Sequence, residues 1–112
     1  LNMIKSILHP GNGITFPLKG DYIKFNLTVV DSENRVLLHK LEHVVRYGYE
    51  HPIKQEIENL LGEMSLLEKC SLEITDDVYM DLESNSEKRG KVVYEVEVVD
   101  INSKPLSVYY EF

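Results

Sequence analysis

The sequence contains a single cysteine, no tryptophan and only four prolines in 112 residues. Because Cys70 has no partner within the chain, an internal disulfide and a cysteine-rich metal site are excluded. Lys and Arg number 12 against 19 Asp and Glu, a formal charge of −7, so the cation-rich surface that binds nucleic acid is lacking. No apolar run approaches the roughly 20 residues of a membrane-spanning helix. We therefore expect neither a nucleic-acid partner nor a membrane partner.

The composition is that of one globular domain. Hydrophobic residues make up 43% and charged residues 28% of the chain, which is ordinary for a folded protein and unlike a disordered tail. The length suits a single domain and is too short for two. Because a lone cysteine favours a reducing compartment, we expect a cytoplasmic location.

Alternating apolar and polar residues predict β-strands before and after one helix. The clearest alternation runs from Tyr22 to Val30, at the period of two that a half-buried strand shows. The polar segments between the other strands read as turns, and Asp81–Gly90 reads as an exposed loop. The further predicted strands are Val36–Leu41, His43–Tyr47, a strand through Cys70, Leu72 and Ile74 that ends at Asp76 and Asp77, and Lys91–Ile101.

Between Pro52 and Met64 the apolar residues recur at helical spacing. A helix this short would not persist alone, so it needs a sheet to lie against. The order of strands, one helix and strands predicts an α+β domain, in which a twisted antiparallel sheet wraps around one short helix. The apolar stripe of the helix consists of Ile53, Ile57, Leu60, Leu61 and Met64.

Three groups of side chains raise chemical hypotheses, and each has a plainer interpretation. His39 and His43 lie in predicted strands, where a spacing of four does not converge on one ion, and His9 and His51 precede prolines in predicted turns. Cys70 alternates with apolar residues and is expected to be buried rather than nucleophilic. The acid pairs are expected to serve solubility; they are Asp76 with Asp77 and Glu95 with Glu97. We expect no metal and no cofactor.

A series of turns precedes the strand that begins at Tyr22: His9-Pro10-Gly11-Asn12-Gly13, then Thr15-Phe16-Pro17, then Lys19-Gly20. The helix ends in Met64-Ser65, and the last strand contains Tyr94-Glu95-Val96-Glu97. Taken together, these segments resemble FKBP-type peptidyl-prolyl cis-trans isomerases over about residues 4–101. The resemblance implies an FKBP-like domain at residues 1–102 and a C-terminal tail or linker at residues 103–112.

In that family the helix and the sheet enclose an apolar pocket that receives a prolyl ring. The resemblance implies that the pocket positions are mostly aliphatic here. If the alignment with the family shifts by one residue, Tyr79 takes the place of Met80 among the implied pocket residues. Val45 and Tyr47 are the candidates for the position of a further aromatic wall residue. A charged segment, Ser84–Gly90, stands where the family loop is apolar. The implied pocket residues are Leu27, Leu37, Leu38, Ile53, Ile57, Met80 and Tyr94.

These replacements predict a closed pocket, and the plainer interpretation is that the residues are simply core. The resemblance then implies a degenerate isomerase domain, with weak or no activity, that binds proteins or proline-containing peptides as an interaction or co-chaperone module. Macrolide binding is expected to be weak because the wall aromatics are missing. The alternatives are an active peptidyl-prolyl isomerase that assists protein folding and a purely structural module with an acidic surface.

Overall fold

The computed structural model describes residues 2–51 and 54–104 of the chain. These residues form one five-stranded antiparallel sheet and one short helix. The strand order is β1-β4-β5-β2-β3, and every neighbouring pair is antiparallel. This confirms the predicted α+β class. The elements are β1 (Met3–His9), β2 (Tyr22–Asp31), β3 (Val36–Arg46), α1 (Gln55–Glu63), β4 (Lys69–Asp81) and β5 (Ser86–Asn102).

The core lies between the inner face of the sheet and one face of α1. Every second residue of β2, from Ile23 to Val29, is buried, as the alternation predicts. Burying one such apolar side chain stabilises a fold by about 1.5–3 kcal/mol, so the helix is held by this contact rather than by its own propensity. The helix contributes Ile57, Leu60 and Leu61, followed by Met64, and the other strands contribute Val45, Cys70, Leu72, Ile74, Val92, Tyr94, Val96 and Val98.

The helix is shorter than predicted. It begins at Gln55, after an extended Lys54 with φ −154° and ψ 163°, and it has ended by Met64, where ψ is 136°. Pro52, where the predicted helical segment begins, lies outside the described residues. Across the described part of the chain, no helix is long and apolar enough to cross a membrane.

The two short strands predicted between Val36 and Tyr47 are one bent strand, β3. At Glu42 the backbone has a φ of 50°, and the pairing with β2 skips there. The Asn26 side chain accepts a hydrogen bond from the Glu42 N–H at 2.8 Å, which holds the irregularity in place. The sequence pattern is interrupted, but the strand continues through the interruption.

The prediction that β4 ends at Asp76 and Asp77 is wrong, as is the loop predicted over Asp81–Gly90. The two strands β4 and β5 continue into a long hairpin whose turn comprises only residues 82–85. Cross-strand ion pairs such as Lys88–Asp81 at 2.6 Å connect its polar residues. Opposite charges across a strand pair stabilise it, so a composition typical of a loop forms a ladder here.

Strand β1 was not predicted, because its sequence does not alternate cleanly. All seven of its residues are exposed. It is one of the two edge strands of the sheet and pairs only with β4. An edge strand with little burial carries a weak periodic signal, which explains why it was missed.

The turn after β1 packs against the segment that follows the helix. The Gly13 N–H donates to Ser65 Oγ at 3.1 Å, and the Asn12 N–H donates to the Leu66 carbonyl at 2.9 Å. Gly11 lies against the same segment, where an added Cβ would stand 2.2 Å from Ser65 Oγ and 2.7 Å from the Leu66 carbonyl oxygen. The glycine is required by this close approach.

We predict that Gly11→Ala lowers the free energy of unfolding by about 1–3 kcal/mol, the usual cost of overpacking. The measurement is urea-induced unfolding. The matched control is Gly90→Ala in β5, where the nearest atom to an added Cβ is 4.0 Å away, so stability should be unchanged or slightly higher. Equal stability of Gly11→Ala and the parent protein would contradict this account of the turn.

Candidate functional site

Five of the implied pocket residues lie in the core or pack against it, and three of them are closed to solvent: Tyr94, which is 4% exposed, and two aliphatic residues. Leu27 and Ile57 are fully buried in the core. Leu37 and Leu38 are partly buried and pack against it. A ligand cannot touch Leu27 or Ile57 in this conformation. Ile53 lies outside the described residues.

Met80 does not lie with the other pocket residues. It is 50% exposed on the outer face of the β4–β5 hairpin, opposite Glu87. The cause is a β-bulge between Ile74 and Asp77. Residues with even numbers face inward before the bulge, and residues with odd numbers face inward after it.

Tyr79, the alternative to Met80, therefore faces inward. It is partly buried and packs against the core. Of the two candidates for a further wall residue, Val45 is buried in the core. Tyr47 lies over the helix, because an added Cβ at Gly62 would stand 2.1 Å from its hydroxyl oxygen.

A polar network that the sequence analysis missed joins the start of the helix to β4 and β5. The Tyr94 hydroxyl donates to Asp77 Oδ2, and the Lys54 ammonium donates to Asp77 Oδ1. The Val78 N–H donates to the same oxygen at 3.0 Å. The Lys54 ammonium also stands 5.3 Å from the centre of the Tyr94 ring, within range of a cation–π contact. The carboxylate is therefore satisfied by three donors, as a buried charge requires.

The environment keeps the Tyr94 hydroxyl protonated. Burial raises the pKa of Tyr94, and the hydrogen bond to the Asp77 carboxylate raises this pKa further. Tyr94 is only 4% exposed. Its hydroxyl is thus committed to Asp77 and cannot also donate to the carbonyl of a substrate while the network is intact.

A second ionic cluster connects the tips of the two hairpins. Arg35 pairs with Asp31 at 2.9 Å and with Glu83 at 3.3 Å, and it reaches Asp81 at 3.8 Å. Both aspartates are almost fully buried. Burial would raise the pKa of Asp31, but hydrogen bonds from the Arg35 and Glu33 N–H groups and the Arg35 guanidinium lower it overall. The cluster holds the β2–β3 and β4–β5 turns together.

The residues considered for catalysis have ordinary structural surroundings. The Cys70 thiol donates to Glu68 Oε2 at 3.0 Å, and burial with the neighbouring carboxylate raises its pKa to about 12, so no thiolate nucleophile forms near neutral pH. His39 contacts Thr28 at 3.0 Å. Within the described ranges, no group of three or more metal-ligating side chains comes together.

Comparison with known proteins identifies the fold. No protein-family model and no curated protein matches the chain. The crystal structure of the three FKBP domains of wheat FKBP73 is similar, with a TM-score of 0.70 and 19% identity, over 88% of this chain and 46% of that chain. A crystal structure of a peptidyl-prolyl cis-trans isomerase from Pseudomonas syringae pv. tomato has a TM-score of 0.66 and 12% identity, over 89% of this chain and 75% of that chain.

The protein therefore has the FKBP-type fold, a five-stranded antiparallel sheet with one short helix. This confirms, at the level of the fold, the resemblance carried by the turns, the helix end and the last strand. The chain spans 46% of the length of the wheat chain.

We predict that Tyr94→Phe lowers the free energy of unfolding by about 1–3 kcal/mol, because it removes a hydrogen bond to a buried carboxylate. Urea-induced unfolding measures the loss. The control is Tyr49→Phe, which removes the hydroxyl of a tyrosine that is exposed to solvent and should leave stability within about 0.5 kcal/mol. Similar losses in the two variants would argue against the network.

Asp81 should make stability depend on pH. The hydrogen bond from Lys88 lowers the pKa of Asp81 from 3.8 to about 2. As the pH falls, the Asp81 carboxylate therefore becomes protonated in the unfolded chain before it does so in the folded protein. The stabilisation that Asp81 contributes above about pH 4 is lost as the pH falls toward its folded-state pKa.

We expect the urea midpoint of Asp81→Asn to fall less steeply than that of the parent protein as the pH is lowered from 4 to 2. Asp76→Asn is the control, because Asp76 is 59% exposed and forms a surface pair with Arg89. Parallel curves for the parent protein and Asp81→Asn would show that Asp81 does not contribute.

Proposed function

We propose that this chain is an FKBP-like domain with weak or no isomerase activity, which acts as a protein-interaction or co-chaperone module for proteins or proline-containing peptides. The observation that carries the proposal is the burial of three implied wall residues, Leu27, Ile57 and Tyr94; Tyr94 is also held in place by the hydrogen bond from its hydroxyl to Asp77. The domain extends over residues 1–102 in this proposal, with residues 103–112 as a tail or linker.

The physical reason lies in the reaction. Rotation about a peptide bond has a barrier of about 18–20 kcal/mol that arises from amide resonance. A protein lowers this barrier by admitting the prolyl ring to a dry pocket and holding the amide in a twisted geometry. Such a pocket needs accessible walls and a free donor. The wall positions supplied by Leu27, Ile57 and Tyr94 are inaccessible, and Met80, which stands at the donor position by resemblance, has no hydroxyl group.

A role in protein contact is supported by the outer face of the β4–β5 hairpin. Val78, Met80 and Leu82 are 41%, 50% and 69% exposed there. Neighbouring exposed apolar side chains with charged residues beside them are typical of protein-binding surfaces. The buried, unpaired Cys70 thiol agrees with a reducing, cytoplasmic environment.

The second candidate function is that of an active peptidyl-prolyl isomerase. The inward position of Tyr79 favours it, because this side chain is only partly buried beside the core and its hydroxyl could reach a substrate carbonyl. Leu37 and Leu38, also partly buried, would then form an aliphatic wall. In this case the reaction would use a shallower site than the one implied by the resemblance.

We predict that the protein accelerates cis/trans exchange of a peptide containing an Ala-Pro bond only weakly or not at all, as measured by NMR exchange spectroscopy. An FKBP-binding macrolide should bind weakly, because the wall aromatics are missing. A ligand that binds only the folded state raises the midpoint of thermal unfolding, so the midpoint should change little when the macrolide is added. Shifts of the hairpin signals on addition of the peptide, without faster exchange, would support an interaction module.

Acceleration that is lost in Tyr79→Phe and retained in Tyr49→Phe would establish the active isomerase instead. These two variants make the same chemical change at an inward and at an exposed tyrosine. Comparing them therefore separates a role of the Tyr79 hydroxyl from a general effect of losing a phenol.

A further inference from the structure

Strand β1 has a row of backbone groups on its open side that no other strand pairs with, among the residues that the structure describes. The Thr75 N–H donates to the Asn2 carbonyl at 3.0 Å, so the even-numbered residues of β1 direct their backbone groups toward β4. Because these groups alternate in direction along a strand, the odd-numbered residues before the bulge direct their N–H and C=O groups to the open side. These residues are Met3, Lys5 and Ile7.

The side chains of β1 leave apolar surface exposed beside this open edge. Met3 and Ile7 lie opposite buried residues of β4 and therefore belong to the inner face, yet they are 50% and 61% exposed. Ile4, on the outer face, and Leu8, at the bulge, are 56% and 51% exposed. An exposed edge strand with apolar side chains is a template to which a strand of another chain can add.

The features that usually protect an edge strand lie at one end of β1. Natural proteins protect such edges with prolines, bulges and charged side chains. Here the bulge follows Ile7, and Pro10 comes after the strand. Lys5 belongs to the inner face, and its ammonium pairs with Glu63 of the helix at 3.3 Å, so it is directed away from the open edge. The first five residues of the strand, from Met3 to Ile7, are therefore open to pairing.

The charge and the sequence of β1 fit a second copy of the same strand. The chain has a formal charge of −7, but Met3–His9 contains no Asp or Glu, so two copies can approach here without opposing carboxylates. Antiparallel pairing about a two-fold axis at Ser6 places Lys5 of each copy opposite Ile7 of the other. An axis at Lys5 would instead place two ammonium groups opposite each other, which is destabilising.

We propose that two copies of this chain associate through their β1 strands, which pair antiparallel about a two-fold axis at Ser6 and join the two sheets into one. The open backbone groups of Lys5 and Ile7 then bond to each other on both sides of the axis, while the exposed apolar side chains of the two strands pack together. A contact in which both copies use the same surface closes on itself, so the assembly ends at a dimer.

The test is sedimentation equilibrium of the full chain at concentrations up to about 1 mM, because a contact between two short strands is small and binds weakly. We expect a monomer–dimer equilibrium. Ser6→Lys should raise the dissociation constant of the dimer by about tenfold or more, because it places two ammonium groups opposite each other at the axis. Ser6 is exposed, and circular dichroism shows whether the variant is folded.

Ser84→Lys is the matched control, since it makes the same substitution at an exposed serine in the turn of the β4–β5 hairpin. Both variants change the net charge equally, so a general electrostatic effect would alter both dissociation constants alike. We expect the Ser84→Lys dimer to be at least as tight as that of the parent protein.

A disulfide tests the register. Opposite Cα atoms in a non-hydrogen-bonded antiparallel pair are about 4.5 Å apart, which a disulfide can span. Ser6→Cys should therefore form a disulfide-linked dimer on mild oxidation, and much faster than Ser84→Cys. The native thiol of Cys70 is buried and should not react. A parent protein that stays monomeric, equal effects of the two lysine variants, or equal cross-linking of the two cysteine variants would overturn the proposal.

Discussion

The Asp77 carboxylate imposes the constraint on which the centre of this molecule depends. The bulge after Ile74 turns Asp77 inward, and a charge in that position is costly unless it is paired and hydrogen-bonded. Lys54 and Tyr94 meet this requirement. The start of the helix is thereby tied to the β4–β5 hairpin.

The same bulge determines which residues of the hairpin face inward and which face outward. By exchanging the two faces of β4, it brings polar residues such as Asp77 and Asp81 inward and turns Val78 and Met80 outward. Arg35 and Lys88 then neutralise Asp81 at the hairpin tip. One extra residue in a strand thus accounts both for the buried acidic residues of the hairpin and for the exposed apolar residues on its outer face. A site built for a prolyl ring and a site built around buried charges place opposite demands on these positions.

The sequence was sufficient to predict the regular parts of the fold. The period of two in β2 and in the second half of β5, and the helical stripe from Ile57 to Met64, are set by burial, and burial determines residue type. Strand β1 and the hairpin tip could not be predicted in this way, because exposed or ion-paired strands do not alternate between apolar and polar residues.

The candidate site was harder to predict for a specific reason. The convergence of Leu27, Ile57 and Tyr94 followed from the resemblance, but the partners of Tyr94 did not. Asp77 was interpreted as the end of a strand, and Lys54 was not singled out. Pairing between residues 23 positions apart leaves no local pattern, and the bulge moved Met80 to the wrong face for the expected role. The pair Asp76-Asp77, which breaks the alternation of β4, was the available sign of that bulge.

The central place of β5 in the sheet has a consequence for the order of assembly during synthesis. Residues 22–31 pair with residues 92–102, so β2 waits for its inner neighbour until almost the whole domain has been translated. Before that moment a ribosome-bound chain can form the β2–β3 hairpin but cannot join β4 and β1 to it. Contacts so distant along the chain are closed slowly, and the unpaired edge of β2 must be shielded from other nascent chains in the interval.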